Sequence, residues 1–529
     1  MTSAPPHPSG PTDPVDLVIG GGPAGLTAAY LLAQAGRAPR VLEMSDLVGG
    51  IARTEQHHGY RFDIGGHRFF TKVKEVESLW KQVIGDDFIR VPRSSRIYYQ
   101  HRFYDYPLQI FNALGNLGTY ESMRIMLSYF KWKVKPSNEE VNFEQWVSNR
   151  FGGRLFWHFF RTYTEKVWGI PCTEIRADWA AQRIKNLSLK KAIWNALSGR
   201  NDTTSLIKTF DYPRLGPGMM WEKFAAEVDR MGGQVQMNTA ATAVHHDNRG
   251  RVEAVTIQPA EGESYRQPVT SVINTMPLAK LMRVLDPAPP AEVLEAAGML
   301  KYRDFLIVGL ICEVDEPFTD NWIYIHSPEV KVGRVQNFKR WSREMVPDPK
   351  MTSLGMEYFC HKGDGLWSMS DADLIELAKS EIQQLDLVPA DTVRDGVVIR
   401  QEKAYPVYDE HYRAAVDIIS DYVESFDNLQ TVGRNGMHRY NNMDHSMLTA
   451  MLAARNVLGE EHDVWDVNVE RSYHEDFTTR KGKNDERAEA RERARDAVGS
   501  MSPSAAASPA PAIPGSEPES GTEAGRGSS

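Results

Sequence analysis

Residues 16–25 read DLVIGGGPAG. A short apolar strand runs into Gly20, Gly22 and Gly25, and LTAAYLLAQAG at 26–36 continues as a helix. In this pattern Gly20 permits a tight turn. Gly22 lets the backbone approach a diphosphate, and Gly25 allows close packing of helix on strand. The helix N-terminus then offers unpaired N–H groups to anionic oxygens. The next strand, RVLEM, places Glu43 18 residues beyond Gly25. A carboxylate there accepts hydrogen bonds from ribose hydroxyls and disfavours a 2′-phosphate. Strand, glycines, helix and acidic strand end together predict a Rossmann-type dinucleotide site.

Outward from this core, short β-branched runs beside glycines predict further buried strands: VDLVIG at 15–20, SVINT at 271–275 and LQTVG at 429–433. Residues 75–200 are dense in aromatic and basic side chains at helical spacing, as in Phe143, Trp146 and Val147. Residues 300–360 alternate like strands: FLIVGLICEV, NWIYIHS and RVQNFKRW. The expected fold is α/β. A Rossmann-type dinucleotide-binding domain (14–74, 205–295 and 401–478) is interrupted by a helical substrate domain (75–204) and an antiparallel-sheet substrate domain (296–400). A disordered leader (1–13) and a disordered tail (479–529) are expected at the ends. The tail is charged, then rich in Ala, Ser, Pro and Gly (SPSAAASPAPAIPGSEPESG). It cannot bury enough apolar surface to offset its ordering entropy.

A formal charge of −9 over 529 residues gives no reason to expect a nucleic-acid partner, so an anionic substrate requires local arginines. The three cysteines, Cys172, Cys312 and Cys360, are too scattered for a disulfide framework or a zinc motif. No metal site is expected, and a reducing cytoplasm fits. Met1–Pro14 lacks the basic flank and apolar run of a signal peptide, and no apolar run is long enough for a membrane span. Neither GxSxG nor HExxH occurs, so no side-chain nucleophile or zinc hydrolase motif is indicated. No feature of the sequence sets an oligomeric state.

The segments after Glu43 point to FAD. Gly49-Gly50, Arg53-Thr54 and DIGGHRFFT, with Gly65 and Gly66, resemble the glycine-doublet family of FAD proteins. That family includes amine oxidases, protoporphyrinogen oxidases, phytoene desaturases and UDP-galactopyranose mutases. The resemblance implies that the second glycine cluster lets the backbone pass close to the diphosphate and flavin. It makes TVGR, ending in Gly433 and Arg434, the closing strand that returns to the flavin. NMDHSMLTAMLAARNVL, with Asp444 and Ser446, opens a helix toward the flavin pyrimidine. TAATAVHHDNRGRVEAVTI, with Val244, becomes the hairpin at the adenine end.

Within this family the chain is most similar to UDP-galactopyranose mutases, in patches over roughly residues 15–475. GGHRFFT resembles the mobile histidine loop beside the flavin and puts His67 there. YTEKVWGIP with WAAQRIKNLSL, and GRVQNFKRW, resemble the segments supplying two diphosphate-binding arginines, Arg183 and Arg334. NWIYI puts Trp322 and Tyr324 by the sugar. KAYPVY and HRYNNMDHS put Tyr405 and Tyr440 on the diphosphate, and DYPLQ puts Gln109 on uracil. The chemistry suits these types. Arginine forks match phosphate oxygens bidentately, and a glutamine presents the donor and acceptor an imide edge requires. The resemblance implies a redox-neutral interconversion of pyranose and furanose on a nucleotide-sugar, UDP-linked. It requires reduced FAD with flavin N5 as nucleophile, the electrons coming from an external reductant such as NAD(P)H.

Two other readings remain open. One is an FAD-dependent dehydrogenase or oxidase of the protoporphyrinogen or amine type, which the N-terminal motif fits equally well. The other is a flavin-bound module without catalysis, whose charged tail recruits a partner.

Overall fold

The computed structural model describes residues 13–106, 108–177, 209–247 and 249–467. Arg183, most of the expected leader and the expected tail lie outside the described residues. Among the described residues, no helix is long and apolar enough to cross a membrane.

The α/β fold expected from the sequence is observed. Val15–Ile19 lies at the middle of a parallel sheet in the order Gln234–Gln236, Arg40–Leu42, Val15–Ile19, Tyr265–Asn274, Leu429–Thr431. Tyr265–Asn274 spans two environments. Its last residues pair with Val15–Ile19 and Leu429–Thr431, while Tyr265–Pro268 pairs with Val252–Pro259 in a β-meander. The helix Pro23–Gln34 follows directly, with Pro23 in its first turn, where a missing N–H costs nothing. Ala24, Gly25, Ala28 and Ala29 are buried, and their small size lets the helices Gly218–Arg230 and Met443–Val457 pack closely against it.

The second sheet runs in the order Val393–Pro406, Tyr302–Cys312, Thr352–Cys360, Arg334–Asn337, Trp322–Ile325, Ser95–Tyr99, Arg102–Asp105. It is antiparallel except where Trp322–Ile325 meets Ser95–Tyr99. Tyr302–Cys312 is buried almost throughout because both of its faces are covered. Leu306, Val308 and Leu310 meet Leu374, Ala378 and Ile382 of the helix Asp371–Gln384. Phe305, Ile307 and Ile311 meet Tyr60, Phe62 and Ile64 on the other side. This strand is therefore continuously apolar and does not alternate as expected over 300–360, since alternation requires one solvated face.

The structure differs from the sequence reading at residues 95–105. They form a hairpin on the edge of this sheet, not part of the helical insertion. Its turn, Gln100-His101, has φ of 50° and 56° in both residues, a tight turn without the Asn-Gly or Asp-Gly signal that would mark it. The sheet also extends to Pro406, past the expected boundary at 400. Helices fill Ile110–Leu117, Thr119–Val134, Phe143–Phe151 and most of 153–168, and their aromatic core includes Phe143, Trp146, Phe156 and Trp168.

Candidate functional site

The glycine turn is enforced by its surroundings. Gly20 has φ of 103°, and a Cβ there would lie 2.1 Å from Thr275 Oγ1. A Cβ on Gly25 would lie 1.9 Å from the Gly20 carbonyl oxygen. Gly49 N–H donates to Gly21 O (2.8 Å), so the second glycine turn is tied to the first, and Gly22 faces Gly50 across backbone alone. Glu43 closes the strand end: Oε2 accepts from Gly21 N–H (2.8 Å) and Oε1 from Ser45 N–H (2.9 Å). Oε2 keeps a lone pair that suits a ribose hydroxyl. No side chain caps the helix Pro23–Gln34. Side-chain-free backbone at the half-buried Gly20, Gly22 and Gly50 and an uncapped helix N-terminus fit the diphosphate of FAD.

The closing segment meets this cradle. A Cβ on Gly433 would lie 2.9 Å from Ala24 Cβ, so the turn after Leu429–Thr431 abuts the first turn of Pro23–Gln34. Asp444 and Ser446 are buried in the first turn of Met443–Val457. Val244 is fully buried between Val255 and Leu285 on neighbouring strands, so its side chain is closed to a ligand. Any contact from Val244 to an adenine is restricted to backbone. Thr239, at the start of the same strand, donates its N–H to Glu43 O (2.8 Å), placing that strand end beside Glu43.

Arg53 is engaged by protein. Its Nη1 donates to Gly50 O (3.0 Å) and Gln401 Oε1 (2.8 Å), and Nε pairs with Glu55 (2.6 Å). It therefore braces the glycine doublet against the strand Val393–Pro406. The hairpin Thr54–Asp63 then leads into Gly65, Gly66 and His67. The His67 ring lies against the backbone of Ile51, and Nε2 donates to Ile64 O (2.8 Å). Burial, with the charges of Arg434 and Arg334, pushes this imidazole down to about 4, so it is neutral at pH 7.

At the hairpin base, Asp63 accepts from Tyr212 Oη and from Thr54 Oγ1 (2.9 Å). Burial pushes its carboxyl from 3.8 up to about 7, against those two hydrogen bonds. The folded state thus prefers the protonated acid. That contribution to stability is complete below the unfolded value near 3.8 and is lost as pH rises through about 7. A rise of this size corresponds to about 4 kcal/mol. Asp63→Asn is expected to remove most of this pH dependence. Urea melts at pH 4.5 and pH 8 check it, and equal pH slopes in both proteins would overturn the assignment.

Beyond the cradle stands a chamber of tyrosines and arginines. Tyr405 and Tyr440 stack at 5.7 Å and 21°, and the Arg434 guanidinium lies over both rings, at 4.9 and 4.1 Å. Arg434 Nε is buried without a hydrogen-bond partner. Arg334 sits in register between Tyr324 and Glu357 on adjacent strands, and its Nε pairs with Glu357 Oε2 (2.6 Å). Glu357 is fully buried and also accepts from Gln336 Nε2 (2.8 Å). Burial is the largest single effect and disfavours the Arg334 charge, but Glu357 together with Tyr163, Tyr405 and Tyr324 more than offsets it, so the guanidinium stays protonated. Tyr163, Tyr324 and Tyr405 lie in its electrostatic surroundings.

Trp322 is 4% exposed and stacks on Trp341 at 5.4 Å, so it forms wall instead of presenting a face to the sugar. Tyr324 is partly exposed and meets the rings of Tyr106 (4.6 Å) and Tyr163 (5.5 Å). Gln109 is exposed at the start of the helix Ile110–Leu117, three residues after Tyr106. The structure therefore brings His67, Arg334, Arg434, Tyr324, Tyr405 and Tyr440 together. Arg68, Arg93, Tyr106 and Tyr163 join them, although the sequence reading does not single them out. Arg68 and Arg93 lie over Trp322 at 5.7 and 5.4 Å, and Arg93 also lies over Tyr106 at 5.4 Å. Three of the four stand inside motifs quoted above: GGHRFFT, DYPLQ and YTEKVWG. Arg93 has no such signal.

The family model for flavin containing amine oxidoreductases matches residues 23–416, well over half of the chain. Among solved structures, a reduced UDP-galactopyranose mutase aligns with TM-score 0.76 and 22% identity, covering 86% of this chain and 98% of that one. A wild-type putrescine oxidase bound to putrescine aligns with TM-score 0.56 and 16% identity, covering 85% of this chain and 100% of that one. A 15-cis-phytoene desaturase from an Oncidium hybrid cultivar is 36% identical over 146 residues, 27% of this chain. The match spans only 23% of that relative's length. The chain belongs to the flavin-containing amine oxidoreductase family and is an FAD-dependent enzyme of that superfamily.

Proposed function

We propose that this enzyme interconverts the pyranose and furanose forms of a nucleoside diphosphate sugar, UDP-linked, without net oxidation. The observation that carries the reading is the charge of the chamber. Arg68, Arg93, Arg334 and Arg434 meet there, and Glu357, the acid paired with Arg334, is consumed in a buried ion pair. Such a field attracts a diphosphate and repels a protonated amine.

Bound, reduced FAD supplies a nucleophilic ring nitrogen for the anomeric carbon. The chain supplies the rest. Arg334, held by Glu357, stabilises charge as the diphosphate leaves and retains it for return. Arg183 is, by resemblance alone, the other diphosphate-binding arginine. The hydroxyls of Tyr405 and Tyr440 donate to phosphate oxygens without adding charge. Tyr106 and Tyr324 offer ring faces to the nucleobase, with Gln109 nearby on its imide edge. Neutral His67 positions the flavin-facing loop and adds no charge to it.

The family match itself favours a second reading, oxidoreduction by the same flavin. Reduced holoenzyme with UDP-galactopyranose is expected to form the furanose isomer, detected by NMR, with either NAD(P)H or dithionite as reductant. Failure with a panel of nucleotide-sugars, with FAD bound and reduced, would overturn the mutase reading. Substrate-dependent bleaching of oxidised FAD without added reductant would establish the second.

A further inference from the structure

We propose that His57, His58 and Asp395 form a binding site for a divalent transition metal, zinc by the chemistry of the donors. Among the described residues, this is the one set of three histidine, cysteine or acidic side chains whose donor atoms all lie within 4.8 Å of one another. His57 Nε2 and His58 Nδ1 each lie 2.9 Å from the same oxygen, Asp395 Oδ2. The other oxygen is occupied, since Oδ1 accepts from Gly396 N–H (2.8 Å). Two imidazole nitrogens and one carboxylate oxygen thus converge on one point. Neutral imidazoles with a carboxylate are a donor set that zinc accepts, leaving a fourth position for water.

The backbone explains how adjacent residues reach one point. Along a regular strand, side chains at 57 and 58 would leave on opposite faces. Here the strand ends at His57, which pairs with Tyr60, and the turn between them is His58-Gly59. Both turn residues have positive φ, 49° and 84°. That left-handed turn swings the His58 ring back beside His57, with centroids 4.1 Å apart. The third donor comes from the strand Val393–Pro406, far away in sequence. Of the nearby charged side chains, Arg53 is paired with Glu55 and Arg400 with Asp371, so neither is left to repel a cation.

A metal here would pin the tip of the hairpin Thr54–Asp63 to the strand that carries Gln401 and Tyr405. The base of that hairpin holds Arg53 and Asp63 and leads into the Gly65–His67 loop. The effect is bracing of the flavin side against the chamber side, with no part in the chemistry.

The test uses holoenzyme stripped of metal by a chelator and titrated with zinc chloride by calorimetry, with cobalt(II) difference absorbance as a second readout. One equivalent is expected to bind and to raise the melting temperature. His58→Asn keeps the left-handed turn and removes a ligand; Asp395→Asn removes another. Each is expected to weaken binding at least about tenfold and to abolish the thermal shift, with flavin content unchanged. No stoichiometric binding by the wild type, or equal binding by both variants through other surface histidines, would overturn the proposal.

Discussion

Gly25→Ala is expected to yield protein that purifies without flavin and unfolds far more readily than the wild type. The added Cβ would sit 1.9 Å from Gly20 O and 3.2 Å from Val18 Cγ1. Neither neighbour can retreat. Gly20 N–H is bonded to Leu42 O (2.8 Å), and Val18 is fully buried in the central strand. The helix itself cannot slide, because its residues from Ala24 to Tyr30 are all buried against the sheet and two other helices. The clash must be relieved by moving the glycine turn, which is proposed to receive the FAD diphosphate. The cost is expected to exceed about 4 kcal/mol, beyond the range of ordinary substitutions. Flavin absorbance of the purified protein and its thermal melt check this. Gly298→Ala is the control: it lies in the helix Ala291–Met299 with nothing within 4 Å of the new methyl. It is expected to stabilise by up to about 1 kcal/mol. A Gly25→Ala protein with normal flavin content would show that the cradle tolerates a side chain.

The second large effect is expected at Arg334, where stability and catalysis can be separated. Arg334→Met leaves Glu357 fully buried without its counter-charge, which costs about 3–5 kcal/mol of stability. Glu357→Gln in the same protein removes the stranded charge, and an amide can still bond Gln336. The double variant is therefore expected to recover most of the stability. On the proposed mutase reading, activity is expected to stay lost in both, with kcat/KM down about 100- to 1,000-fold, because a substrate diphosphate would lose its fork. Denaturant melts and steady-state kinetics on the three proteins decide the matter. If the double variant regains activity along with stability, Arg334 is only a structural partner of Glu357. The guanidinium also reaches the loop that leads to His67: Nη2 lies 3.5 Å from where a Gly65 Cβ would stand.

Several features are legible in the sequence because they are backbone requirements written locally. Gly20, Gly25 and Gly49 stand where positive φ or close approach admits no side chain. Glu43 ends its strand at the expected place and bonds the glycine turn. Tyr405, Tyr440 and Arg434 belong to separate motifs, and the fold stacks them together. Trp322 reads the same as Tyr324 in NWIYI, yet the strand buries one in the wall and opens the other. The hairpin at 95–105 reads as part of a helical segment because its turn lacks the usual residues and the segment after it is helical.

The sequence by itself determined the α/β class and the first glycine turn with Glu43 at its strand end, because each depends on residues close together in the chain. The tertiary structure alone decided which charges meet. Arg334 finds Glu357 through strand register, Arg68 and Arg93 converge on Trp322 from different segments, and His57 and His58 meet Asp395 across the sheet edge. No local periodicity records such encounters, since a side chain's partner is set by pairing and packing between distant strands.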